Sequence, residues 1–330
     1  MGFYTRIARP LLFKLPPETA QRLAEDLLQR RWLWGWASSV FQANDPKLRT
    51  SLAGIPLRNP IGLAAGYDKE CRALSGLARL GFGYLVGGTV FPVPRAGNAR
   101  PRLLRLPEQD ALINALGFPS SGSIAAANNL LRVNSGGAAI LVSIAALEVE
   151  DFVTVHKQLE PLVAGVELNI SSPNTAGLAA FQEPSNLRDV LQGVMAQRTK
   201  PVFVKLPFGH DDASRQRVLD LVDVCLEQGA DGVTAGNTLP LEEPRTATGR
   251  GGLSGRPILE DMLKTLAAIR SHAGDTFAIN ACGGIFTGQD AIRALQAGAT
   301  TVQLFTGLVY QGPGVVKGIC RELAPAFAPP

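Results

Sequence analysis

Polar side chains that could bind a planar, anionic ligand occur at the ends of several short apolar stretches of the sequence. A lysine offers a point charge for a carboxylate. An asparagine amide both donates to and accepts from imide or urea edges. These residues are Lys69, Asn114, Asn169, Ser172, Lys205, Asn237 and Thr238. Their types predict a ligand that carries a carboxylate and several amide-like edges.

Glycines near the C-terminal end of the sequence predict a phosphate site. The runs 281–285 and 305–307 place glycine directly after two apolar stretches, and the glycine-rich run 248–255 lies upstream. Backbone N–H groups bind anions where the absence of a side chain lets the chain approach closely. Glycines also serve as plain turns, so from these runs alone both interpretations stay open.

Other chemistries have little support in the composition. The four cysteines are far apart and form no CxxC pair, so we expect no metal site and a reducing compartment. The three histidines lie near no serine or cysteine motif of a hydrolase. The net charge of +4 comes without a basic run interleaved with aromatics, which argues against nucleic acid. No window of eighteen apolar residues exists, so no segment should span a membrane.

The elements that must position these residues follow a repeating pattern from residue 59 onward. Apolar stretches of strand length end in Gly, Asn, Ser or Thr and alternate with helical stretches such as 212–228 and 288–297. The predicted strands are 59–65, 84–90, 138–144, 165–170, 201–206, 231–236, 277–283 and 301–305. Eight buried strands over about 250 residues predict an α/β fold, a (β/α)8 TIM barrel, whose functional groups collect at the C-terminal strand ends. The alternative is an open doubly wound sheet, which the absence of GxGxxG after the first strand disfavours.

Residues 1–45 differ from the rest and predict an N-terminal helical extension. All three tryptophans occur here, and Pro17 and Glu18 suit the first turn of a helix. Apolar residues at 20, 23, 24, 27 and 28 recur at helical spacing, with charged residues between them. The composition is typical of a helical cap on a barrel and equally of a segment lying in a membrane interface.

Several longer motifs resemble those of one enzyme family. The run 169–175 followed by Gly177 and Leu178, the run 62–69, the stretch 87–118 and the run 251–257 are similar to the dihydroorotate dehydrogenases, in the same order along the chain. Soluble members of that family place a cysteine on the substrate loop, whereas the membrane-associated, quinone-using members place a serine. Ser172 and the N-terminal extension therefore indicate the quinone-using class.

The resemblance implies a two-part organisation and a reaction. Residues 1–45 would form a membrane and quinone-access segment, with Arg105 lining the quinone site, and residues 46–330 an FMN-binding barrel. The chain would oxidise dihydroorotate to orotate in pyrimidine biosynthesis, with FMN as hydride acceptor and a quinone as final acceptor. We expect a monomer that contacts the cytoplasmic side of the cytoplasmic membrane peripherally.

The resemblance also implies roles for individual residues. Ser172 would remove the C5 proton of the substrate, with Thr175 or a relayed water as its partner, while C6 passes a hydride to the flavin. The substrate-binding residues would be Lys69, Asn114, Phe118, Asn169, Asn174, Asn237 and Thr238. The cofactor-binding residues would be Ala65, Gly66, Thr89, Ser143, Asn169, Lys205, Gly236, Ser254, Gly255, Gly283, Gly284, Phe305 and Thr306.

The sequence departs from the family pattern mainly around the expected flavin site. Ser143 stands where the family usually has an asparagine, and the basic residues that normally follow are absent. Pro119, Ala179 and Gly236 replace an asparagine, an arginine and a threonine. These changes predict weaker or altered FMN binding. They leave two alternatives: a flavin oxidoreductase acting on another dihydropyrimidine, and a barrel that binds ligand without turnover.

Overall fold

The computed structural model describes residues 2–30, 34–43, 45–172, 175 and 177–327. The strands in these ranges, numbered along the chain, are β1 Thr50–Leu52, β2 Ile55–Leu57, β3 Ile61–Leu63, β4 Tyr84–Val90, β5 Leu103–Leu106, β6 Ala111–Asn114, β7 Ala139–Ile144, β8 Gly165–Asn169, β9 Val202–Lys205, β10 Gly232–Ala235, β11 Leu239–Glu242, β12 Arg250–Gly255, β13 Ala278–Cys282 and β14 Thr301–Leu304. The α-helices are α1 Arg9–Phe13, α2 Pro17–Gln29, α3 Ala37–Phe41, α4 Leu74–Leu77, α5 Ser123–Leu130, α6 Val149–Leu159, α7 Pro184–Met195, α8 Asp212–Glu227, α9 Leu259–Ala273, α10 Gly288–Gln296, α11 Thr306–Gln311 and α12 Val315–Leu323.

Eight of the strands close into a barrel of parallel neighbours, in the order β10-β13-β14-β3-β4-β7-β8-β9. Each predicted stretch contains one of these strands, so the predicted barrel is confirmed and the alternative of an open doubly wound sheet is wrong. The first barrel strand, β3, is shorter than the predicted stretch 59–65 because the Asn59 side chain occupies hydrogen-bonding groups near the start of the strand. This amide donates to the carbonyl of Gly81 (2.9 Å) and accepts from the N–H of Ile61 (3.0 Å).

The barrel strands read as apolar runs because the barrel buries both of their faces. Their outer side chains pack against the surrounding helices, and the inner ones fill the barrel. At the N-terminal end the hairpin β1–β2 covers the opening, where Leu52 and Ile55 join Tyr84 and Phe203 in one apolar cluster. That end is therefore sealed, and the C-terminal end is left for a ligand.

Two helices of the barrel, α8 and α10, begin at residues that cap them with side-chain hydrogen bonds. At α10 the Thr287 hydroxyl accepts from the N–H of Asp290 (3.1 Å), and the Asp290 carboxylate accepts from the N–H of Thr287 (2.9 Å). At α8, Asp211 and Ser214 form the same reciprocal pair. Such pairs satisfy backbone donors that a helix start otherwise leaves open. The predicted helices 212–228 and 288–297 are both confirmed.

A second sheet, which the sequence did not predict, lies over the C-terminal end of the barrel. Its antiparallel strands follow the order β11-β12-β6-β5. Strand β12 comes from the glycine-rich run 248–255, where Gly252 pairs with Asn114 and Gly255 with Ala111. The glycines permit this pairing since a Cβ at Gly252 would collide with the Thr238 side chain. This sheet forms one wall of the barrel mouth.

The N-terminal extension is helical, as predicted, and is tied to the barrel by polar contacts. Glu18 on α2 forms ion pairs with Arg100 (2.8 Å) and Arg102 (2.9 Å). The Tyr4 hydroxyl donates to the carbonyl of Val309 (2.7 Å), and Arg105 donates to that of Leu15 (2.8 Å). The extension therefore has a defined place beside the barrel mouth. Across the described ranges we find no helix with the length and apolarity needed to cross a bilayer.

Candidate active site

A single cavity joins the C-terminal end of the barrel to the underside of the N-terminal extension. Most of the predicted site residues line it. They are Ala65, Gly66, Lys69, Thr89, Arg105, Asn114, Phe118, Asn169, Ser172, Lys205, Asn237, Thr238, Ser254, Gly255, Gly283, Gly284, Phe305 and Thr306. They come from barrel strand ends, from the second sheet and from the loops between them. Strand closure therefore brings together residues that lie up to 241 positions apart, from Ala65 to Thr306.

Three predicted residues lie behind the cavity wall, and one lies outside the described residues. Ser143 has no exposed surface, and its hydroxyl is 3.0 Å from that of Thr89. Thr175 is buried, and its hydroxyl has no hydrogen-bond partner among the described residues. Gly236 is also buried. Asn174 falls outside the described part of the chain. The direct ligand contacts of these four residues stay predictions.

One end of the cavity is a cradle of glycines in which side chains have no room. Gly255, Gly283 and Gly284 all have positive φ angles, of 100°, 142° and 74°. A Cβ at Gly284 would lie 2.5 Å from that of Leu259. Beside them the hydroxyls of Ser254 and Thr306 lie 2.9 Å apart. Backbone N–H groups and two hydroxyls around a side-chain-free space suit a phosphate.

Two lysines supply positive charge at separate places along the cavity. Lys205 on β9 is buried. Burial lowers the pKa of Lys205, but nearby Cys282 and Glu167 raise it, and the net direction is upward. The ammonium group of Lys69 donates to the carbonyl of Gly66 (2.5 Å). Burial lowers the pKa of Lys69, although the Glu25 carboxylate on α2 opposes this.

Two of the asparagines that face the cavity, Asn169 and Asn237, belong to a buried hydrogen-bond chain. Asn169 donates to the hydroxyl of Thr89 (2.9 Å) and accepts from that of Ser171 (3.0 Å). Asn237 in turn donates to the hydroxyl of Ser171 (2.7 Å). The sequence did not single out Ser171, although it directly precedes the predicted base Ser172. The side chains that would recognise amide-like edges of a ligand are therefore held in place by hydrogen bonds to one another and to Ser171 and Thr89.

Some polar atoms around the cavity have no partner in the described part of the protein. By hydrogen-bond geometry they are the hydroxyl of Thr238 and both amide atoms of Gln303, although Gln303 lies near enough to Tyr84 to oppose the rise that burial causes in the pKa of that phenol. Gln303 has no exposed surface, and the sequence analysis missed it because it lies inside a strand. Buried polar atoms almost always have partners. The cavity wall therefore calls for a ligand with hydrogen-bonding edges.

The other end of the cavity is apolar and comes from the N-terminal extension. Residues of α1 and α2 and of the turn before them contribute side chains there, namely Tyr4, Leu12, Phe13, Pro17, Ala20, Gln21 and Ala24. The Arg105 guanidinium lies over the Phe13 ring, 4.5 Å from its centre. The family resemblance implied a membrane and quinone-access segment here but singled out only Arg105 of the lining.

An anion cradle, two lysines and an amide-rich wall at the mouth of a (β/α)8 barrel define the class of barrel enzymes that bind a phosphorylated cofactor beside an anionic substrate. The dihydroorotate dehydrogenase family profile matches residues 47–327, next to the predicted start of the barrel at residue 46. The chain belongs to this family of flavin-dependent oxidoreductases.

Relatives match along nearly the whole chain. A dihydroorotate dehydrogenase (quinone) of Methylococcus capsulatus is 38% identical, covering 97% of this chain and 99% of the relative. One from Chloroflexus aurantiacus is 36% identical over 97% of this chain and 96% of its own length. Among solved structures, the Eimeria tenella dihydroorotate dehydrogenase in complex with ferulenol superposes with a TM-score of 0.80 at 28% identity, covering 95% of this chain and 93% of that one.

Proposed function

We propose that this protein oxidises dihydroorotate to orotate in pyrimidine biosynthesis, with FMN as its cofactor and a quinone as the final electron acceptor. The observation that carries this proposal is the single cavity. It connects a polar site of amides and lysines to an apolar channel under the N-terminal extension. A polar acid and a lipophilic acceptor can therefore reach the same cofactor from different sides.

The glycine cradle fits the single phosphate of FMN. Gly255, Gly283 and Gly284 would present backbone N–H groups to it, with the hydroxyls of Ser254 and Thr306 beside them. Lys205 would hold positive charge beside the ring, where it favours an anionic reduced flavin. When bound, the cofactor would supply a hydride acceptor for the substrate and an electron donor for the quinone.

The polar wall fits the edges of dihydroorotate. Lys69 would hold the carboxylate, while Asn114, Asn169 and Asn237 would pair with the ring N–H and C=O groups. The Phe118 ring lies 5.6 Å from that of Phe91 at the same wall, where it would pack on the substrate. Asn174 would complete the set.

Ser172 lines this wall and would act as the general base for the C5 proton. A serine hydroxyl is a weak base at its ordinary pKa and needs a partner. The hydroxyl of Thr175, three residues further along, is buried and has no hydrogen-bond partner among the described residues, which suits that role.

The quinone would enter through the apolar channel, with Arg105 at its polar end. Peripheral contact with the cytoplasmic side of the cytoplasmic membrane would bring the channel opening close to the quinone in the membrane. The outer surface of the extension supports this, because Phe3 and Leu11 are 73% and 59% exposed. Arg6 and Lys14 are exposed, lie among them and would face anionic lipid. The four cysteines are unpaired, which suits a reducing compartment.

Anaerobic mixing of the FMN-loaded protein with dihydroorotate tests the proposal. We expect prompt bleaching of the flavin absorbance. Dihydrouracil, which lacks the carboxylate, should bleach it far more slowly because it offers nothing to Lys69. Equal bleaching by both compounds would favour the alternative of another dihydropyrimidine substrate.

The Ser172→Ala variant tests the base. It should bind orotate nearly as well as the unmodified protein, since the amides and Lys69 are unchanged. Its flavin should be reduced at least about 100-fold more slowly, which is the usual contribution of general base catalysis. Stopped-flow absorbance measures the rate, and an unchanged rate would remove Ser172 from this role.

A further inference from the structure

A buried serine joins the two asparagines at the centre of the polar wall. Ser171 is 3% exposed and lies between Asn169 at the end of β8 and Asn237 after β10. Its hydroxyl donates to Oδ1 of Asn169 at 3.0 Å and accepts from Nδ2 of Asn237 at 2.7 Å. The Ser171 hydroxyl is thus the donor to Asn169 and the acceptor from Asn237.

We infer that Ser171 is a positioning residue that fixes which end of each asparagine amide faces the substrate. This inference rests on the proposed function, in which Asn169 and Asn237 bind the dihydropyrimidine ring. An amide that is rotated by half a turn exchanges its donor for its acceptor. The same pocket would then offer the wrong edge to the ligand.

The contacts of Asn169 leave only one orientation. Its Oδ1 accepts from both the N–H (3.2 Å) and the hydroxyl of Ser171, and its Nδ2 donates to the hydroxyl of Thr89 (2.9 Å). Thr89 is held in turn by the hydroxyl of Ser143 on β7, 3.0 Å away. Ser143 therefore acts behind the wall, as the outer end of the chain that starts at Ser171.

Asn237 depends on Ser171 more strongly. Its Oδ1 accepts from the N–H of Thr238 (2.8 Å), and its Nδ2 donates to the hydroxyl of Ser171. Without that hydroxyl only the Thr238 contact would hold the amide, and Nδ2 would lose its acceptor. Ser171 does not line the cavity, whereas Ser172 does. The two adjacent serines thus divide the work between positioning and chemistry.

The Ser171→Ala variant of the FMN-loaded, full-length protein tests this assignment. Because both asparagine amides lose a contact that orients them, the orotate Kd and the dihydroorotate KM should rise by about tenfold or more. The maximal rate of flavin reduction and its pH profile should change much less, because Ser172 remains. Titration of the flavin absorbance with orotate measures the Kd.

Matched variants separate positioning from general damage. Ser123→Ala removes another buried serine hydroxyl, which donates to the carbonyl of Pro92 (3.2 Å) outside the cavity, and should leave the Kd unchanged. Ser171→Cys keeps the volume with a weaker donor and should lie between serine and alanine. If Ser171→Ala does not fold, the cysteine variant carries the same comparison.

A double-mutant cycle identifies the group through which Ser171 acts. In an Asn237→Ala background, the Ser171→Ala change should raise the Kd by no more than about threefold, because one of its two partners is gone. The same factor in both backgrounds would overturn the inference. An unchanged Kd in Ser171→Ala alone would do so as well.

A crystal structure of Ser171→Ala without substrate keeps this inference separate from the proposed function. We expect the Asn237 amide to turn away or to occupy two orientations. If orotate does not bind the unmodified protein, the proposed function fails, yet the amide orientation still reports on Ser171. Unmoved amides in the variant would refute the positioning role whatever the substrate is.

Discussion

The residues that depart from the family pattern occupy places that explain how the site can keep its shape. The Ser143 hydroxyl reaches Thr89, so it supports the cavity wall rather than forming it. Gly236 has a φ of 102°, and a Cβ there would lie 2.5 Å from the carbonyl oxygen of Cys282. A β-branched threonine is strongly disfavoured in such a backbone conformation. The absence of threonine at this position is therefore coupled to the local backbone of this chain.

Replacing Gly236 with threonine should therefore destabilise the protein and not restore a family contact. We expect a loss of about 3 kcal/mol in the free energy of unfolding, from backbone strain and the clash with Cys282. Chemical denaturation of the FMN-loaded protein measures it. Gly249→Thr is the control, since Gly249 has a φ of 69° but no atom within 4 Å of its Cβ position. Equal losses in the two variants would show that the clash is unimportant.

At the scale of elements, the placement of α2 decides what the apolar end of the cavity can admit. Ala20, Gln21 and Ala24 face the cavity, and Asp26 lies on the exposed side of the same helix. Small side chains leave the channel open beneath the helix. The Glu18 pairs with Arg100 and Arg102 hold this helix against the barrel.

An Ala24→Phe substitution should narrow the channel without touching the polar wall. We expect quinone reduction to fall at least about tenfold, since the phenyl ring would fill open channel space and overlap with an entering quinone, at a cost of about 1–3 kcal/mol. Flavin reduction by dihydroorotate should remain near its original rate. Stopped-flow absorbance and steady-state assays with a short-chain quinone measure the two steps. Asp26→Phe adds a phenyl ring on the outer face of α2 and should leave both quinone reduction and flavin reduction unchanged. A loss of flavin reduction in Ala24→Phe would mean that the substitution also disturbs the polar wall.

The helix α6 carries a buried histidine that makes stability depend on pH. His156 has no exposed surface, and neither ring nitrogen has a hydrogen-bond partner among the described residues. Burial lowers the pKa of His156 below its ordinary 6.5, although Glu160, 3.7 Å away, opposes this and Arg198 adds to it. As the pH falls through about 6.5, the His156 ring binds a proton in the unfolded chain but not yet in the folded protein. The free energy of unfolding contributed by this residue is then lost as pH falls.

Stability should accordingly decrease between about pH 7 and pH 5, by at most about 1.4 kcal/mol per pH unit for one proton. Urea denaturation at several pH values measures the slope. His156→Gln should reduce the slope, which separates this residue from titrating carboxyls such as Asp68. An unaltered slope in His156→Gln would place the pH dependence elsewhere.

At the scale of the whole molecule, exposed apolar side chains concentrate on the N-terminal extension. Phe3, Ile7 and Leu11 project from its first turns, and Leu23 and Leu27 from α2. The same region supplies the apolar mouth of the cavity. One surface therefore both faces outward and leads inward, which fits the proposed entry of a quinone from a lipid phase.

Vesicles that contain anionic lipid should bind the full-length protein. Binding should weaken as salt is added, because arginine and lysine side chains of the extension contribute to it. Changing Phe3 and Leu11 together to aspartate should reduce co-sedimentation at least about tenfold, since each removes exposed apolar area worth about 1–2 kcal/mol. The control changes Val93 and Ile124, which are 62% and 72% exposed on other elements, to aspartate. If both pairs reduce binding alike, the extension is not the membrane-binding surface.

The sequence by itself determined the barrel, its eight strands and most of the polar residues that line the mouth. Buried parallel strands are continuous apolar runs, and that signal is local, so it can be read without the fold. The tertiary structure decided those contacts that no local sequence pattern encodes. The pairing of Asn114 with Gly252, the position of Ser171 between two asparagines and the burial of Gln303 depend on chain segments far apart in sequence. Their geometry exists only once the barrel has closed and the second sheet lies over it.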